Sequence, residues 1–404
     1  MWLVTYDYME EFLQILKIYI AFVNFIDLAC PTRLRWAREE FSQREREMHS
    51  LYLQLMDLVK QRNNREFRKF TRINISTFEH LVRLLKKKLQ KYSARKPIPP
   101  ECRILVTLMY LAYDSPRPLL QMAFRLGSTT LRSIITETCE CISKELSAAY
   151  FLNSLNADDY YELSEEQLEA TGLPNCVGSL DAIQFLTERK TRDPIILMAS
   201  SNTKYQLINV DLDMMNELLE KDNIVNNLLQ NNVDRLPLPA EMQIPESVGA
   251  VPQFLPSYFV TPPRFPFVKH TMRPYPGKLL NAQKEAFNAR LKCCTDYLDN
   301  AFGILIYRWK VLQNRFSGLP TISCNIIRSC VILHNFALEH DASYLHNQLV
   351  DHIDEETQEF RPGVWRETVK LPKTKLFSNY ENTADNEAFK SRDLLKDYLF
   401  RESM

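Results

Sequence analysis

The sequence predicts an α/β protein with a helical N-terminal part. Apolar residues recur at helical spacing from Met1 to Tyr150, and three β-rich runs follow from Leu173. The chain has 404 residues, enough for more than one domain. We predict four regions, namely a helical extension (1–60), a helical domain (61–172), an α/β domain (173–340) and a polar tail ending in an amphipathic helix (341–404).

The composition is typical of a globular protein, with 45% hydrophobic and 25% charged residues. Lys and Arg equal Asp and Glu at 50 each, which weighs weakly against tight DNA binding by the chain as a whole. Nine cysteines without a disulfide framework fit a reduced intracellular protein. Charged residues interrupt the apolar segment 1–29, so we predict no membrane span there, but a packed or partner-facing helix.

The helical domain contains a helix-turn-helix candidate. Residues 76–92 predict one helix with Ser76 as its N-cap, and ECRILVTLMYLAYD predicts a second. A short helix over 119–125 then stops at Leu126-Gly127, and Ser128 can cap a longer helix. In that geometry Thr129, Thr130 and Arg132 would face a major groove together with Ser128 and Ser133.

Basic residues precede this candidate. Between Lys60 and Arg103 the sequence has 12 further Lys and Arg side chains but only three acids. The central run Lys86, Lys87 and Lys88 could neutralise phosphates, which predicts salt-dependent DNA contact. The alternative is a solvated helix face.

The central part changes period. NCVGSLDAIQFL, PIILMAS and YQLINVDLD predict strands in one sheet. A proline-rich loop follows over 235–276, and helices return over 279–339. EAFKSRDLLKDYLF predicts a last amphipathic helix.

Several segments resemble the Harbinger family of DDE transposases over about 67–400. In the helical half they are FRKFTRINISTFEHLV and PRPLLQMAFRLGSTTLRSIITETCECI. They continue as LPNCVGSLDAIQF, YFVTPPRFPFVKHTMRPYPGKLL, FNARL, LDNAFGILIYRWKVL and CVILHNF. The resemblance implies an RNase H-like nuclease core behind a DNA-engaging helical domain, and a nuclear protein. It also implies three carboxylates that hold two divalent cations, Mg²⁺ or Mn²⁺.

The resemblance assigns the first acid to Asp181 and the third to Asp299, and these would hold the metal. The second acid should follow the strand YFV, where this chain has Pro262 and Pro263. Proline offers no ligand oxygen on its side chain, so a cleaving site would need a substitute acid. The substitutes considered are Asp211, Asp213 and Asp222, the first two on a strand expected beside that of Asp181.

Three functions therefore remain open. The first is a domesticated transposase-derived protein that binds DNA or protein and has a degenerate nuclease site. The second is a metal-dependent endonuclease with a rearranged acidic site. The third is a protein-interaction scaffold without DNA contact, with partners recruited through the N-terminal helices.

Overall fold

The computed structural model describes residues 39–92, 96–152, 155–188, 193–220, 224–230, 236–244, 253–353, 359–374 and 385–402. The helix predicted within 1–29 lies outside these residues. Chain contacts define two units, one of Met1–Glu145 with Trp309–Val311 and one of Leu146–Arg308 with Leu312–Met404.

The first unit is helical throughout its described part. Its helices are α1 (Gln43–His49), α2 (Leu51–Lys60), α3 (Asn64–Thr71), α4 (Ile75–Leu89), α5 (Pro100–Tyr113), α6 (Arg117–Phe124) and the first turns of α7 (Ser128–Tyr150). Helix α4 buries Phe78, Leu81 and Leu85, which recur three to four residues apart along one face. Phe78 packs on Phe67 of α3 with ring centroids 5.3 Å apart. The helices predicted within the described part of this unit are confirmed.

The N-cap of α4 differs from the prediction. Helix α4 begins at Ile75, and the side chain of Asn74 accepts the Thr77 N–H at 2.7 Å. The hydroxyl of Ser76 donates to that same Asn74 oxygen at 2.7 Å. Asparagine is as good an N-cap as serine, so the residue two positions earlier starts the helix.

The second unit contains a five-stranded mixed sheet. Its strands are β1 (Cys176–Phe185), β2 (Ile195–Ser201), β3 (Leu207–Met214), β6 (Tyr258–Val260) and β7 (Thr271–Met272), in the spatial order β3-β2-β1-β6-β7. Strands β1, β2 and β3 are antiparallel neighbours, whereas β6 and β7 run parallel to β1. The α/β class and the three predicted strands are therefore confirmed. A small pair, β4 (Met242–Ile244) and β5 (Gln253–Leu255), lies within the proline-rich segment.

Helices cover both faces of this sheet. On one face, Tyr160 and Leu163 of α8 (Ala157–Thr171) pack with Leu180 and Met198 of the sheet. On the other, the long helix α11 (Ala282–Arg308) packs with β1 and β6. Helix α8 contributes to the sheet core, and the boundary between the two units falls after Glu145.

The remaining elements of this unit are short or C-terminal. They are α9 (Met215–Glu220), α10 (Ile224–Gln230), α12 (Pro320–His340), β8 (His352–Ile353), β9 (Phe360–Arg361), α13 (Trp365–Thr368) and α14 (Asn386–Glu402). Leu395 of α14, the predicted amphipathic helix, packs in the core beside α11. Among the described residues α12 alone is long and apolar enough to cross a membrane. It is 67% buried over the window concerned, and core helices of soluble proteins pass the same test.

Candidate active site

The sheet topology brings the two predicted acids together. Asp181 lies on β1, which pairs in parallel with β6 so that Ser179 is opposite Val260. The chain that leaves β6 therefore runs beside Asp181. Helix α11 crosses the same face and carries Asp299.

A bulge in β1 shapes this strand. The register with β6 shifts between Cys176 and Ser179, and Gly178 in the bulge has a φ of 115°. A Cβ at this position would lie 2.9 Å from the carbonyl oxygen of Ser201, so only glycine fits without a shift of the backbone.

Asp181 is 6% exposed and fully engaged. Its carboxylate accepts a hydrogen bond from the N–H of Ala182 at 2.6 Å. It also forms an ion pair with the guanidinium of Arg264. The ammonium of Lys373 donates to Asp181 Oδ2 at 2.6 Å and to Asp299 Oδ1 at 2.5 Å. One lysine thus bridges the two acids.

The ammonium of Lys373 and the guanidinium of Arg264 are both partly buried, and burial shifts the pKa of each. Burial lowers the pKa of Lys373, because desolvation penalises the ammonium, while Asp299 opposes that change. Burial likewise lowers the pKa of Arg264, again with Asp299 acting in the opposite direction. The two carboxylates are what make a charged lysine and arginine tolerable at this depth.

These side chains line a pocket of about 300 Å³. Its apolar wall includes Leu180, Val260, Pro274, Leu291 and Leu298. The two prolines at the expected second acid position, Pro262 and Pro263, also line it. The three sequence positions implied by the resemblance therefore converge on one pocket, but only two of them carry an acid.

The residues present do not fit a two-metal centre. A hard divalent cation needs several oxygen ligands, and Asp181 and Asp299 already share Lys373. No group of three or more His, Cys, Asp or Glu that could hold a metal occurs within the described ranges. With Arg264 and Lys373 the two acids form a set without net charge. A two-metal site, by contrast, carries more positive charge than its three carboxylates cancel, and this attracts a phosphate.

Of the proposed substitute acids, Asp211 and Asp213 lie away from the pocket. The sequence suggested that β3 lies next to β1. In the structure β2 lies between them. Asp211 is paired with Met198, which shares a face with Leu180 and α8, whereas Asp181 is paired with Ala199 on the opposite face.

Asp213 is two residues further along β3 and points to the same side of the sheet as Asp211. Neither acid is therefore brought to Asp299. Asp222 lies outside the described residues.

The predicted DNA-contact residues lie in the first unit. Helices α6 and α7 are separated by the turn 125–127, which matches the predicted helix, turn and helix. The first turns of α7 bury Leu131 and Ile134 and expose a polar face. The exposed residues are Ser128, Thr129, Thr130, Arg132 and Ser133.

The predicted lysine run is exposed but mostly paired. Lys86 lies 3.1 Å from Glu101, and Lys88 lies 3.1 Å from Glu145. Lys87 is exposed between them. Such surface pairs are worth about 0–1 kcal/mol, so phosphate can compete for these lysines.

The balanced charge of the whole chain conceals a strong asymmetry. Residues 1–145 have 24 Lys and Arg against 16 Asp and Glu, whereas residues 146–404 have 26 against 34. The helical unit is thus basic and the sheet unit acidic. This distribution favours nucleic-acid contact through the helical unit.

Sequence reasoning missed Lys373 and the role of Arg264. Arg264 could have been suspected, because it follows the two prolines at the second acid position. Lys373 stands 192 residues after Asp181 in a polar segment, and no motif around it marks a site.

Comparisons with known proteins bear on this site. Residues 244–335 match the family model described as DDE superfamily endonuclease, a range that includes Arg264 and Asp299 but begins after Asp181. The chain is also 22% identical over 311 residues to Protein ALP1-like from Arabidopsis thaliana, covering 70% of this chain and 73% of that protein. No solved structure matches the chain at a comparable level. The predicted resemblance to the DDE transposases is therefore confirmed, and the family match lies within residues 244–335.

Proposed function

We propose that this chain is a domesticated protein derived from a Harbinger-type DDE transposase, and that it binds DNA or protein without cleaving DNA. The observation that carries the proposal is the pairing of Asp181 and Asp299 with Lys373 and Arg264, beside prolines at the second acid position. In this proposal the mixed sheet is an RNase H-like core. Three antiparallel strands followed by two parallel ones, with acids on β1 and α11, support it.

The site lacks what hydrolysis of a phosphodiester requires. DDE endonucleases use divalent cations to activate water and to stabilise the leaving oxygen. An ammonium and a guanidinium cannot lower the pKa of water in that way. Their charges are also cancelled by the two carboxylates, and the third cation that lines the pocket, Lys292, is paired with Asp296 at 2.7 Å. The cations that line this pocket are thus already paired with carboxylates of the chain.

DNA binding is assigned to the helical unit. The exposed face of α7 begins at Ser128 and carries short polar side chains and an arginine, which are side chains that hydrogen-bond to base edges. The basic charge of residues 1–145 supports phosphate contact, with Lys86, Lys87 and Lys88 as contributors. A protein with this role would act in the nucleus.

The test is incubation of the purified chain with supercoiled plasmid in Mn²⁺, beside Asp181→Asn and the matched control Asp158→Asn. Asp158 is an exposed acid on α8, away from the pocket. We expect no nicking by any of the three proteins, together with retarded plasmid at low salt.

Two outcomes would contradict parts of the proposal. Nicking by the natural chain and by Asp158→Asn, but not by Asp181→Asn, would establish a metal-dependent endonuclease with a rearranged site. Absence of both nicking and DNA retention at low salt would favour the scaffold without DNA contact.

A further inference from the structure

Residues 359–374 form a strap that leads to the pocket, and Lys373 lies near its end. The strap contains β9 and α13 and continues as an extended segment from Val369 to Thr374. It is held to the sheet unit at three places. Each contributes to the position of Lys373.

The first attachment is Trp365, which is 2% exposed. Its indole lies against Gly303 of α11, so closely that a Cβ at Gly303 would be 2.2 Å from the ring. The indole N–H donates to Asn300 Oδ1 at 2.8 Å. Because residue 303 is glycine, the indole has space to pack directly on α11, and this contact holds the strap against the helix.

The second attachment is an ion pair beneath that indole. Arg366 donates through Nε and Nη2 to the two oxygens of Asp351 at 2.7 and 2.5 Å. The N–H of Gly363 also donates to Asp351, at 2.8 Å. Burial opposes ionisation of Asp351, but these donors outweigh it and hold the pKa of Asp351 below its usual value.

The third attachment is to β1 itself. Strand β6 pairs with β1 only as far as Ser179, so the outer edge of β1 beyond that point is open. The strap takes this edge, with the N–H of Gln184 donating to the carbonyl of Pro372 at 2.8 Å. Lys373 is paired with Ile183 in an antiparallel bridge, so both point to the face that carries Asp181.

We propose that the strap is a built-in counter-ion device, in which the Lys373 ammonium occupies the place between Asp181 and Asp299 that a cation from solution would otherwise take. Two carboxylates that share one donor repel each other strongly unless a positive charge separates them. The tethered lysine supplies that charge at high effective concentration, and the three attachments fix its position. The sheet unit is therefore independent of divalent metal, and its stability depends on the strap.

This inference goes beyond the proposed function, since it holds whether the helical unit binds DNA, protein or neither. It predicts how the chain behaves when the positive charge of Lys373 is removed. When Lys373 is replaced by a neutral side chain, a divalent cation should enter between the carboxylates and stabilise the protein, which it does not do in the natural chain.

The experiment measures thermal unfolding of the full chain in EDTA and in about 10 mM MnCl₂. The variant is Lys373→Met, which keeps the length of the side chain, and the control is Lys370→Met, an exposed lysine of the same strap. We expect Lys373→Met to lower Tm by about 5 °C in EDTA, because removing one partner leaves buried charge uncompensated. Mn²⁺ at roughly ten times its Kd should restore about 3 °C. The natural chain and Lys370→Met should change by less than about 1 °C.

A second variant keeps the test decisive if Lys373→Met does not fold. Lys373→Met with Asp299→Asn removes one charge of each sign, so it should regain stability and lose the response to Mn²⁺. A rise in the Tm of the natural chain with Mn²⁺ would overturn the proposal, as would a response to Mn²⁺ that persists in the double variant. Plasmid nicking is a separate readout, so failure of the proposed function is distinguishable from failure of this one.

Discussion

The contact between Gly303 and Trp365 gives the sharpest stability prediction. Replacing Gly303 by alanine adds one methyl group to α11 that would lie 2.2 Å from Trp365 Cδ2 and within 2.5 Å of two further ring atoms. The indole is 2% exposed and lies on a helix backbone, so neither partner can yield without disturbing the strap. We expect the ring to leave its position.

The magnitude follows from two opposing terms. Loss of a buried tryptophan costs about 3–5 kcal/mol. Alanine in place of a glycine inside a helix recovers about 1 kcal/mol through helix propensity. Gly303→Ala should therefore lower the free energy of unfolding by about 2–4 kcal/mol, which urea unfolding followed by circular dichroism can measure.

A double-mutant cycle separates the overlap from other causes. In a Trp365→Ala background the ring is absent, so Gly303→Ala should be neutral or stabilising by up to about 1 kcal/mol. The coupling energy between the two positions should then reach about 3 kcal/mol. An equal cost of Gly303→Ala in both backgrounds would refute the argument that the indole occupies this space.

Two further predictions concern pH and DNA binding. Burial lowers the pKa of His334 to about 4, while its Nε2 contact with the Tyr205 carbonyl at 3.0 Å opposes the shift. Between pH 6.5 and 4 the unfolded chain binds a proton that the folded chain excludes, so stability should fall by about 2 kcal/mol from pH 7 to 5. Urea unfolding should show this loss, and His334→Gln should reduce it. For DNA, Arg132→Ala should weaken binding at low salt several-fold in a gel-shift titration, as loss of one base or phosphate contact implies. Lys144→Ala, an exposed control about 18 Å further along α7, should not.

Local pattern was sufficient to predict much of the fold. The strands β1 and β2 are apolar runs bounded by turn residues, and both are almost entirely buried in the structure. Helix α4 follows from its apolar spacing, although its N-cap is Asn74 and not Ser76. Two residues of equal capping ability that stand two positions apart cannot be separated by sequence alone.

The candidate site was only half predictable. The approach of Asp181 and Asp299 was implied by the resemblance, and the structure brings them to one lysine. Asp211 is kept away from Asp181 by the order of the strands and by their register. Its strand β3 lies two positions from β1 and is one residue out of phase, so the side chain of Asp211 points to the other face of the sheet. Neither property is encoded in a short motif.

The prolines at the expected second acid position and the position of Lys373 are best understood together. If Pro262 removes one carboxylate, the remaining pair can no longer hold two divalent cations, yet Asp181 is still buried and charged. A buried carboxylate without a partner is far more costly than one that is paired. Arg264 and Lys373 supply the missing positive charge from the chain itself, so the acids persist as anchors for the strap. The presence of Asp181 and Asp299 is therefore no argument for nuclease activity, because both acids have a structural role in holding the strap.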